Sequence, residues 1–403
     1  MVFVYEDAAC AELLPLVYFR PVFDLLCGRR TLLGKTRALY PREKLGLLVR
    51  PELAGLTREQ TRDRPEVAYV GTRPAARIPG RPALFLNGRV IFDRALPVHG
   101  PEEVFVNGKE VVAFRCRPGR LLSIPVRTGD AKSWRLPERN ILCSIVRHPW
   151  DIIAFNEAEL VRELRALPSR RAKPGSAFTV IGRPAGLWCA RDAMIDPGVV
   201  LDLRQGRIVL DEKSQVRAGS IVAGPCYVGR GTVIEGARVR RGCSFGPDCR
   251  IGGEVEATVF LGHANKHHEG FIGHSVVGAW VNLGALTTNS DLRNDYDEVR
   301  VELGGRKLST GLRKFGCIIG DHSKTAIGTL INTGACIGIF VNWFKPGLSP
   351  GAIADFRWGP NKTWRLTEAL ETARTVMWRR RVRLSPEYEQ LVRRYHAETQ
   401  KSR

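Results

Sequence analysis

The stretch of sequence that decides the fold runs from residue 208 to residue 251: IVLDEKSQVRAGSIVAGPCYVGRGTVIEGARVRRGCSFGPDCRI. Apolar residues recur in it at intervals of six, with one slip of a residue, at Leu210, Val216, Val222, Val228, Ile234, Val239, Phe245 and Ile251. An amphipathic helix would repeat about every 3.6 residues and a strand every two, so neither explains this period. A period of six is typical of a solenoid with three flat faces, in which the apolar side chain of each hexad points inward.

The repeat resumes further along the chain, at Val277 and Leu283 and again at Ile319, Thr325, Ile331 and Ile337. Glycine and other small residues follow many of these positions, where they allow the tight corners of a coil. We therefore predict a left-handed parallel β-helix over residues 177–360. Residues 361–403 contain two helical patterns, the second with Ser385 as N-cap, and we expect this tail to cover the open end of the solenoid.

Short apolar runs alternate with helical patterns in residues 1–167, which predicts an α/β domain. Its candidate strands are residues 2–5, 44–49, 83–86, 104–106 and 111–115. A helix is expected to begin at Pro149 and to end near residue 166. Residues 168–176 are basic and contain prolines, so we predict a linker there.

The composition is that of a globular enzyme, with 44% hydrophobic and 26% charged residues. No run approaches the roughly 18 apolar residues of a membrane span, and the first apolar run is followed at once by Glu6 and Asp7, unlike a signal peptide. The 10 cysteines are scattered without CxxC pairs, as in a protein with reduced thiols. We therefore expect a cytoplasmic protein with no membrane partner.

The chain carries 62 Lys and Arg against 41 Asp and Glu, a net charge of +21, which attracts anions. Most of this charge is arginine spread along the whole chain, and the dense cluster at Arg379, Arg380, Arg381 and Arg383 lies in a predicted helix. We therefore expect solvated surfaces and phosphate-bearing substrates rather than a nucleic-acid partner.

Departures from the six-residue repeat are the places where chemistry is expected. Residues 254–275 break the repeat and contain four of the eight histidines: His263, His267, His268 and His274. Residues 288–314 form a polar loop, long enough to reach a neighbouring subunit. A third irregular patch, residues 320–324, contains His322 and Lys324, for which a structural corner and a functional role both stay open.

Three motifs in this region match one family. ANKHHEGFIGH at residues 264–274 corresponds to the pattern S-K-x-G-H-L-x-Y-L-G-D, and VNLGALT at 281–287 corresponds to V-N-I-G-A-G-T. ARVRRG at 237–242 corresponds to A-R-x-R-x-G. The region thereby resembles the acetyltransferase half of the bifunctional glucosamine-1-phosphate acetyltransferase / N-acetylglucosamine-1-phosphate uridylyltransferase family. Nearly the whole chain is similar to proteins described as sugar nucleotidyltransferases.

This resemblance implies a role for each matched position. It places the catalytic base on His268, and a neutral imidazole is suited to accept the proton of an attacking amine near neutral pH. The implied substrate contacts are Arg240, Lys266 and Asn282, and the implied acetyl-CoA contacts are Ala285, Ser323 and Lys324. Two family positions differ, since Glu256 replaces a phosphate-binding lysine and the Asn-Tyr loop matches residues 294–296 only loosely.

Zinc is a rival explanation for the histidines, because β-helical carbonic anhydrases bind it through the spacing seen between His263 and His268. Such a site needs a third histidine further upstream, and none occurs between His148 and His263. We therefore predict no metal in the β-helix. A solvated loop histidine remains the plain alternative to a base at His268.

The first 167 residues match the related nucleotidyltransferases poorly at the expected active site. Residues 7–16, DAACAELLPL, contain no glycine where the family has the phosphate-cradling G-x-G-T-R loop. Arg89 stands where the family has a Mg²⁺-binding Asp, and arginine cannot be a metal ligand. Either other residues, chiefly Asp7, Arg20 and Asp24, serve a nucleotide and Mg²⁺, or the domain is degenerate and binds or regulates.

Together these features predict a homotrimeric transferase that acetylates a phosphorylated or nucleotide-linked amino sugar from acetyl-CoA, with possible nucleotidyl transfer by residues 1–167. Two alternatives stay open: a sugar-1-phosphate nucleotidyltransferase without acetyltransferase activity, and a non-catalytic trimeric scaffold that binds sugar nucleotides.

Overall fold

The computed structural model describes residues 1–72, 82–117, 135–168 and 177–401. Its contacts divide the chain into two compact units, the first comprising Met1–Leu25 and Arg30–His148 and the second Leu26–Arg29 and Pro149–Arg403. Among the described residues, no helix has the length and apolar character that a membrane crossing requires. Most of the predicted linker, residues 169–176, lies outside the described residues.

The first unit is an α/β domain, as predicted. Its seven-stranded sheet has the order β10-β8-β9-β6-β1-β4-β5. The strands of residues 1–148 are β1 Val2–Tyr5, β2 Leu26–Cys27, β3 Arg30–Thr31, β4 Leu45–Leu48, β5 Val67–Gly71, β6 Ala83–Asn87, β7 Val90–Ile91, β8 Glu103–Asn107, β9 Glu110–Cys116, β10 Glu138–Asn140 and β11 Ser144–Ile145. The helices are α1 Leu32–Leu39 and α2 Ala54–Thr61. Strands β1, β4, β5 and β6 are parallel, so their carboxyl ends meet at one edge.

The second unit contains the predicted parallel β-helix. Its strands stack in three faces. Face 1 consists of β12 Thr179–Ile181, β15 Val200–Asp202, β18 Ile221–Ala223, β21 Arg238–Val239, β24 Glu254–Glu256 and β27 Phe271–Gly273. Face 2 consists of β13 Leu187–Cys189, β16 Ile208–Leu210, β19 Cys226–Val228, β22 Cys243–Phe245, β25 Val259–Phe260, β28 Val276–Val277, β33 Cys317–Ile319, β36 Ala335–Ile337 and β38 Ala352–Ile353.

Face 3 consists of β14 Met194–Ile195, β17 Gln215–Val216, β20 Val233–Ile234, β23 Arg250–Ile251, β26 Asn265–Lys266, β29 Asn282–Leu283, β34 Lys324–Thr325, β37 Asn342–Trp343 and β39 Arg357–Trp358, with β40 Lys362–Thr363 antiparallel at its end. The hexad residues Val216, Ile234 and Ile251 are fully buried in the coil interior. The periodicity thus identified the inward side chains correctly, because one side chain per hexad must fill the space between the three faces.

The polar interruption at residues 288–314 leaves the coil and returns to it. It begins with β30 Thr288–Asn289, which pairs in parallel with β35 Leu330–Ile331. It then forms an antiparallel hairpin of β31 Arg300–Leu303 and β32 Arg306–Ser309. The coil resumes at β33, which pairs directly with β28.

Helix α3, Pro149–Arg165, groups with the β-helix rather than with the domain before it. Its Leu160 and Leu164 pack against Val209, an outward residue of face 2. Asn156 of the same helix donates to the carbonyl of Gly242 at 2.8 Å and accepts from the hydroxyl of Ser244 at 3.0 Å. The contacts therefore divide the chain before α3, whereas the sequence patterns suggested a boundary after it.

One corner of the coil, between faces 2 and 3, carries a column of aromatic rings at positive φ. The column consists of His263, Trp280, His322, Phe340 and Phe356. Successive ring centroids lie 4.1, 6.2, 4.5 and 5.2 Å apart. The C-terminal helices α4 Leu366–Trp378 and α5 Pro386–Lys401 complete the fold, and the Tyr388 hydroxyl of α5 lies 3.0 Å from Nε2 of His322.

Candidate functional site

His268 lies at the corner that joins face 3 to face 1. It follows β26 and precedes β27, and its side chain is exposed. The ring of His267 meets it edge to face, with centroids 4.9 Å apart. Lys266 and Ile272, the inward residues on either side of this corner, are six positions apart and buried. The prediction that residues 254–275 break the repeat is therefore wrong at this corner, which is a regular turn of the coil.

Lys266 occupies an inward position of the coil, in register with Ile251 of the preceding strand of face 3. Its ammonium donates to the carbonyls of Gly252 at 2.9 Å and His268 at 2.8 Å. Because burial disfavours the charged form, it lowers the pKa of Lys266 to about 8. Lys266 therefore stabilises the corner of His268 from the coil interior. Its ammonium is bound to backbone carbonyls and is not placed to contact a substrate.

Asn282 lies on β29, the strand of face 3 next to β26, and Ala285 lies at the corner that follows β29. Asn282 is in register with Asn265 on face 3, and its carbonyl oxygen accepts from the Asn265 amide at 2.9 Å. The corner that contains Ala285 stacks on the corner of His268, since the Leu286 N–H donates to the Glu269 carbonyl at 2.8 Å. An exposed imidazole and a partly buried backbone corner thus lie on neighbouring coils, with the Asn282 amide on the strand that leads to the second corner.

Lys324 extends the same outward column, because it pairs in register with Asn282. Its ammonium donates to the His322 carbonyl at 3.1 Å and lies 5.7 Å from the centroid of Trp364, and burial lowers the pKa of Lys324 to about 8. Ser323 is buried, and its hydroxyl donates to the Gly338 carbonyl at 2.6 Å. The tail therefore covers Lys324, while Ser323 stabilises the coil interior rather than facing solvent.

Arg240 lies at the other end of face 1 from His268, because it follows strand β21 whereas His268 precedes the parallel strand β27. Its side chain is half exposed, and Nε donates to Oε1 of Glu254 at 2.5 Å. A phosphate at this position would share the guanidinium with Glu254. Within one chain the structure therefore stacks the corner of Ala285 on the corner of His268, whereas Arg240 lies at the opposite end of face 1.

Two histidine–carboxylate pairs were missed by sequence reasoning. Nδ1 of His274 lies 2.7 Å from Oδ2 of Asp291, and Nδ1 of His267 lies 3.3 Å from Oε2 of Glu235. The signal for the first is the coil length, because residues 17 apart on neighbouring coils share a corner. Over the described parts of the chain, no three His, Cys, Asp or Glu side chains cluster as a metal site would require.

A groove of about 680 Å³ lies beneath the hairpin loop. Its lining is mixed in charge and consists of Ser290, Leu292, Arg293, Asn294, Asp295, Val299, Arg300, Glu302, Lys307, Asn332, Thr333, Gly334, Leu348 and Gly351. Arg293 and Asp295 pair with each other in this lining. The groove belongs to the coils that follow the corner of His268.

The first unit presents its charged residues at the carboxyl edge of the parallel strands. Asp7 follows β1 and accepts from Arg89 on both oxygens, from Nε at 2.8 Å and from a terminal nitrogen at 2.5 Å. Glu6 accepts from the Val22 and Arg50 backbone N–H groups at 2.9 and 3.0 Å. These carboxylates are therefore bound by protein donors, and the donor set does not fit Mg²⁺, which needs free carboxylate oxygens.

The other two predicted nucleotide contacts lie close to this edge. Arg20 donates from a terminal nitrogen to the Leu16 carbonyl at 2.6 Å. Burial raises the pKa of Asp24 to about 6, against the opposing charges of Arg64 and Arg20. Asp24 thus lies among guanidinium groups and is not an exposed metal ligand.

Comparison with known proteins shows what the two units resemble. Residues 2–172 match the sugar nucleotidyl transferase family. A bifunctional sugar-1-phosphate nucleotidylyltransferase/acetyltransferase of Sulfurisphaera tokodaii is 31% identical over 162 residues, covering 38% of this chain and 37% of that protein. Both units are thus similar to proteins of this bifunctional kind. A bifunctional protein GlmU of Jannaschia sp. is 32% identical over 191 residues, 44% of this chain and 40% of that protein.

These matches span less than half of each relative. Among solved structures, an acetyltransferase of Bacillus cereus aligns with 55% of this chain and 99% of its own, at 14% identity. Its TM-score of 0.22 is too low to support an argument about shape. The similarity to these proteins therefore rests on sequence, and the β-helix rests on the strand pairing described above.

Proposed function

We propose that the β-helix of this GlmU-like chain transfers an acetyl group from acetyl-CoA to the amino group of a phosphorylated or nucleotide-linked sugar. The observation that carries the proposal is the exposed imidazole of His268 at a corner that stacks on the corner of Ala285, with Asn282 on the strand that leads to the latter. The similarity to a bifunctional sugar-1-phosphate nucleotidylyltransferase/acetyltransferase supports the same reaction class.

The chemistry assigned to the corner is a single acyl transfer. The amine nitrogen attacks the thioester carbonyl carbon while His268 takes up the amine proton. The carbon–sulfur bond then breaks, and CoA leaves as a thiolate that receives the proton from the imidazolium. Asn282 would orient the acceptor sugar, and backbone N–H groups near Ala285 would stabilise the developing oxyanion.

A homotrimer in the cytoplasm is part of the proposal. Leu286 and Ile327 are 57% and 77% exposed, and they lie on the coils that follow His268 along the same corner. Exposed apolar side chains of this size favour contact with another surface. A second copy placed there would cover the apolar residues and exclude water from the reacting groups.

The test measures CoA thiol release with acetyl-CoA and a panel of amino-sugar phosphates. We expect release with at least one acceptor and a loss of about 10²–10⁴-fold in His268→Ala, the usual contribution of a general base. His267→Ala is the matched control, because it removes the neighbouring ring, and it should retain most of the activity. Absence of release with every acceptor, or full activity in His268→Ala, would contradict the proposal.

A second candidate function is sugar-1-phosphate nucleotidyl transfer by the first unit. It is favoured by the match of residues 2–172 to the sugar nucleotidyl transferase family. Pyrophosphate release from a nucleoside triphosphate and a sugar 1-phosphate, lost in Asp7→Ala, would support it. The same two assays separate both candidates from a scaffold that only binds sugar nucleotides, which would show ligand binding without either product.

A further inference from the structure

The carboxyl edge of the first sheet brings Asp7 and Arg89 together by strand register. Strands β1 and β6 are parallel neighbours, with Val4 opposite Leu86 and Tyr5 opposite Asn87. The chain therefore places the residues that follow each strand side by side at this edge. Arg89 stands where the resemblance to the nucleotidyltransferases places a Mg²⁺-binding carboxylate, so this chain has a cation beside Asp7 at that position.

Arg89 is held in one orientation on several sides. It donates to both oxygens of Asp7, and its backbone N–H donates to the Asn87 side-chain carbonyl at 3.0 Å. The Asn87 amide in turn donates to Oδ2 of Asp7 at 2.8 Å. Only 3% of the Arg89 side chain is exposed. A bidentate, charge-assisted pair of this kind fixes geometry as well as charge.

The pair leaves no room for a divalent cation on Asp7. Mg²⁺ binds oxygen at about 2.0–2.1 Å in near-octahedral geometry, whereas both oxygens of Asp7 already accept from a cation. The other carboxylate of this edge, Glu6, accepts from the Val22 and Arg50 backbones and from Nε of Arg50 at 3.2 Å. A metal would therefore have to displace two guanidinium groups whose charge repels it.

Burial and ion pairing shift the pKa of Arg89 in opposite directions. Burial lowers its pKa, but the hydrogen bonds and charge of Asp7 outweigh burial and raise the pKa above its ordinary value. Glu110 adds a second carboxylate 3.5 Å away. The guanidinium therefore stays positively charged at every pH at which the protein is folded.

We infer that Arg89 closes the carboxyl edge of this sheet against divalent cations, so that the first unit catalyses no metal-dependent nucleotidyl transfer. Any phosphate-bearing ligand that the unit binds is then bound by protein donors without Mg²⁺. This inference departs from the activity that the family match suggests for residues 2–172. It is independent of acetyl transfer by the β-helix.

The first test uses the full-length wild-type protein and its Asp7→Asn variant. Titration with Mn²⁺, followed by electron paramagnetic resonance of the free ion, should show no binding that depends on Asp7. Mn²⁺ binding that is equal in the two proteins lies elsewhere and agrees with the inference. Binding that Asp7→Asn abolishes, or Mg²⁺-dependent pyrophosphate release by the wild type, would overturn it.

The second test asks whether a metal site appears when the guanidinium is exchanged for a carboxylate. Arg89→Asp places two acids in the register that Tyr5 and Asn87 define, and we expect Mg²⁺ to raise its midpoint of thermal unfolding and to give Asp7-dependent Mn²⁺ binding. Arg89→Asn is the matched control, because it removes the cation without adding a carboxylate. Mg²⁺ should raise its midpoint of thermal unfolding less than it raises that of Arg89→Asp. If Mg²⁺ shifts the wild type as much as Arg89→Asp, Arg89 does not close the edge.

Discussion

Replacing Lys266 with methionine should remove a pH-dependent contribution to the stability of the β-helix. Lys266 is 2% exposed and lies in the inward column of face 3, and burial lowers the pKa of its ammonium from 10.5 to about 8. Each unit of difference between the folded and unfolded pKa corresponds to about 1.4 kcal/mol in the free energy of unfolding, which gives about 3 kcal/mol for Lys266. Met is similar in length and has no proton to lose.

The sign follows from proton binding. Between the folded pKa of about 8 and the unfolded pKa of 10.5, the unfolded chain binds the proton and the folded chain does not. The free energy of unfolding therefore rises with pH through this window, and below it the burial of the charge lowers stability by the full amount. Buried thiols act in the opposite direction, since burial raises the pKa of Cys243, Cys249 and Cys317 to about 12.

The assay must compare variants at each pH, so that the thiols cancel. Urea unfolding followed by circular dichroism should show that the wild type gains about 3 kcal/mol relative to Lys266→Met between the two ends of the window. Ile251→Met, the residue in register with Lys266 on the preceding strand of face 3, is the control, and its difference from wild type should not change with pH. Parallel curves for the wild type and Lys266→Met would refute the reasoning.

Three further outcomes are expected. Asn156→Ala leaves the Gly242 carbonyl and Ser244 hydroxyl without this partner and should lower the free energy of unfolding by about 2–4 kcal/mol; an unchanged urea midpoint would contradict it. Asp24→Asn should raise the thermal midpoint near neutral pH but not below pH 4, because the raised pKa, about 6, makes ionised Asp24 destabilising as pH rises through it; equal gains at both pH values would argue otherwise. Tyr388→Phe removes the hydroxyl at His322 and should cost about 1 kcal/mol in urea unfolding, with no loss if that contact is not formed in solution.

The fold could be predicted from the sequence because the hexad is a local and repeated constraint. Each inward position, such as Ile234, must be apolar to fill the coil, and the repeat shows this without any knowledge of partners. The six-residue spacing did not identify Lys266 as an inward residue, because the coil length changes within residues 254–275 and shifts the phase of the repeat. The sequence therefore suggested a substrate contact at Lys266, where the structure has an internal hydrogen-bond donor.

The pairs within the candidate sites depend on three-dimensional register and could not be found by motif. Asp7 and Arg89 are 82 residues apart, and only the pairing of β1 with β6 brings them together. The sequence alone showed that Arg89 cannot bind a metal, because arginine has no acceptor atom. It did not show that Asp7 is the partner of Arg89. His274 and Asp291 are 17 residues apart, a separation that has meaning only once the coil is known.

The aromatic column from His263 to Phe356 restricts changes in the length of the β-helix to whole coils. Parallel strands on neighbouring coils lie about 4.8 Å apart, a rise that matches the contact distance of flat rings, and the ring centroids of the column are spaced by 4.1–6.2 Å. A duplicated or deleted segment that amounts to one whole coil would leave every ring seated on another. A partial coil would turn the next ring onto a different face, so gene duplication or design can lengthen this molecule only in complete turns.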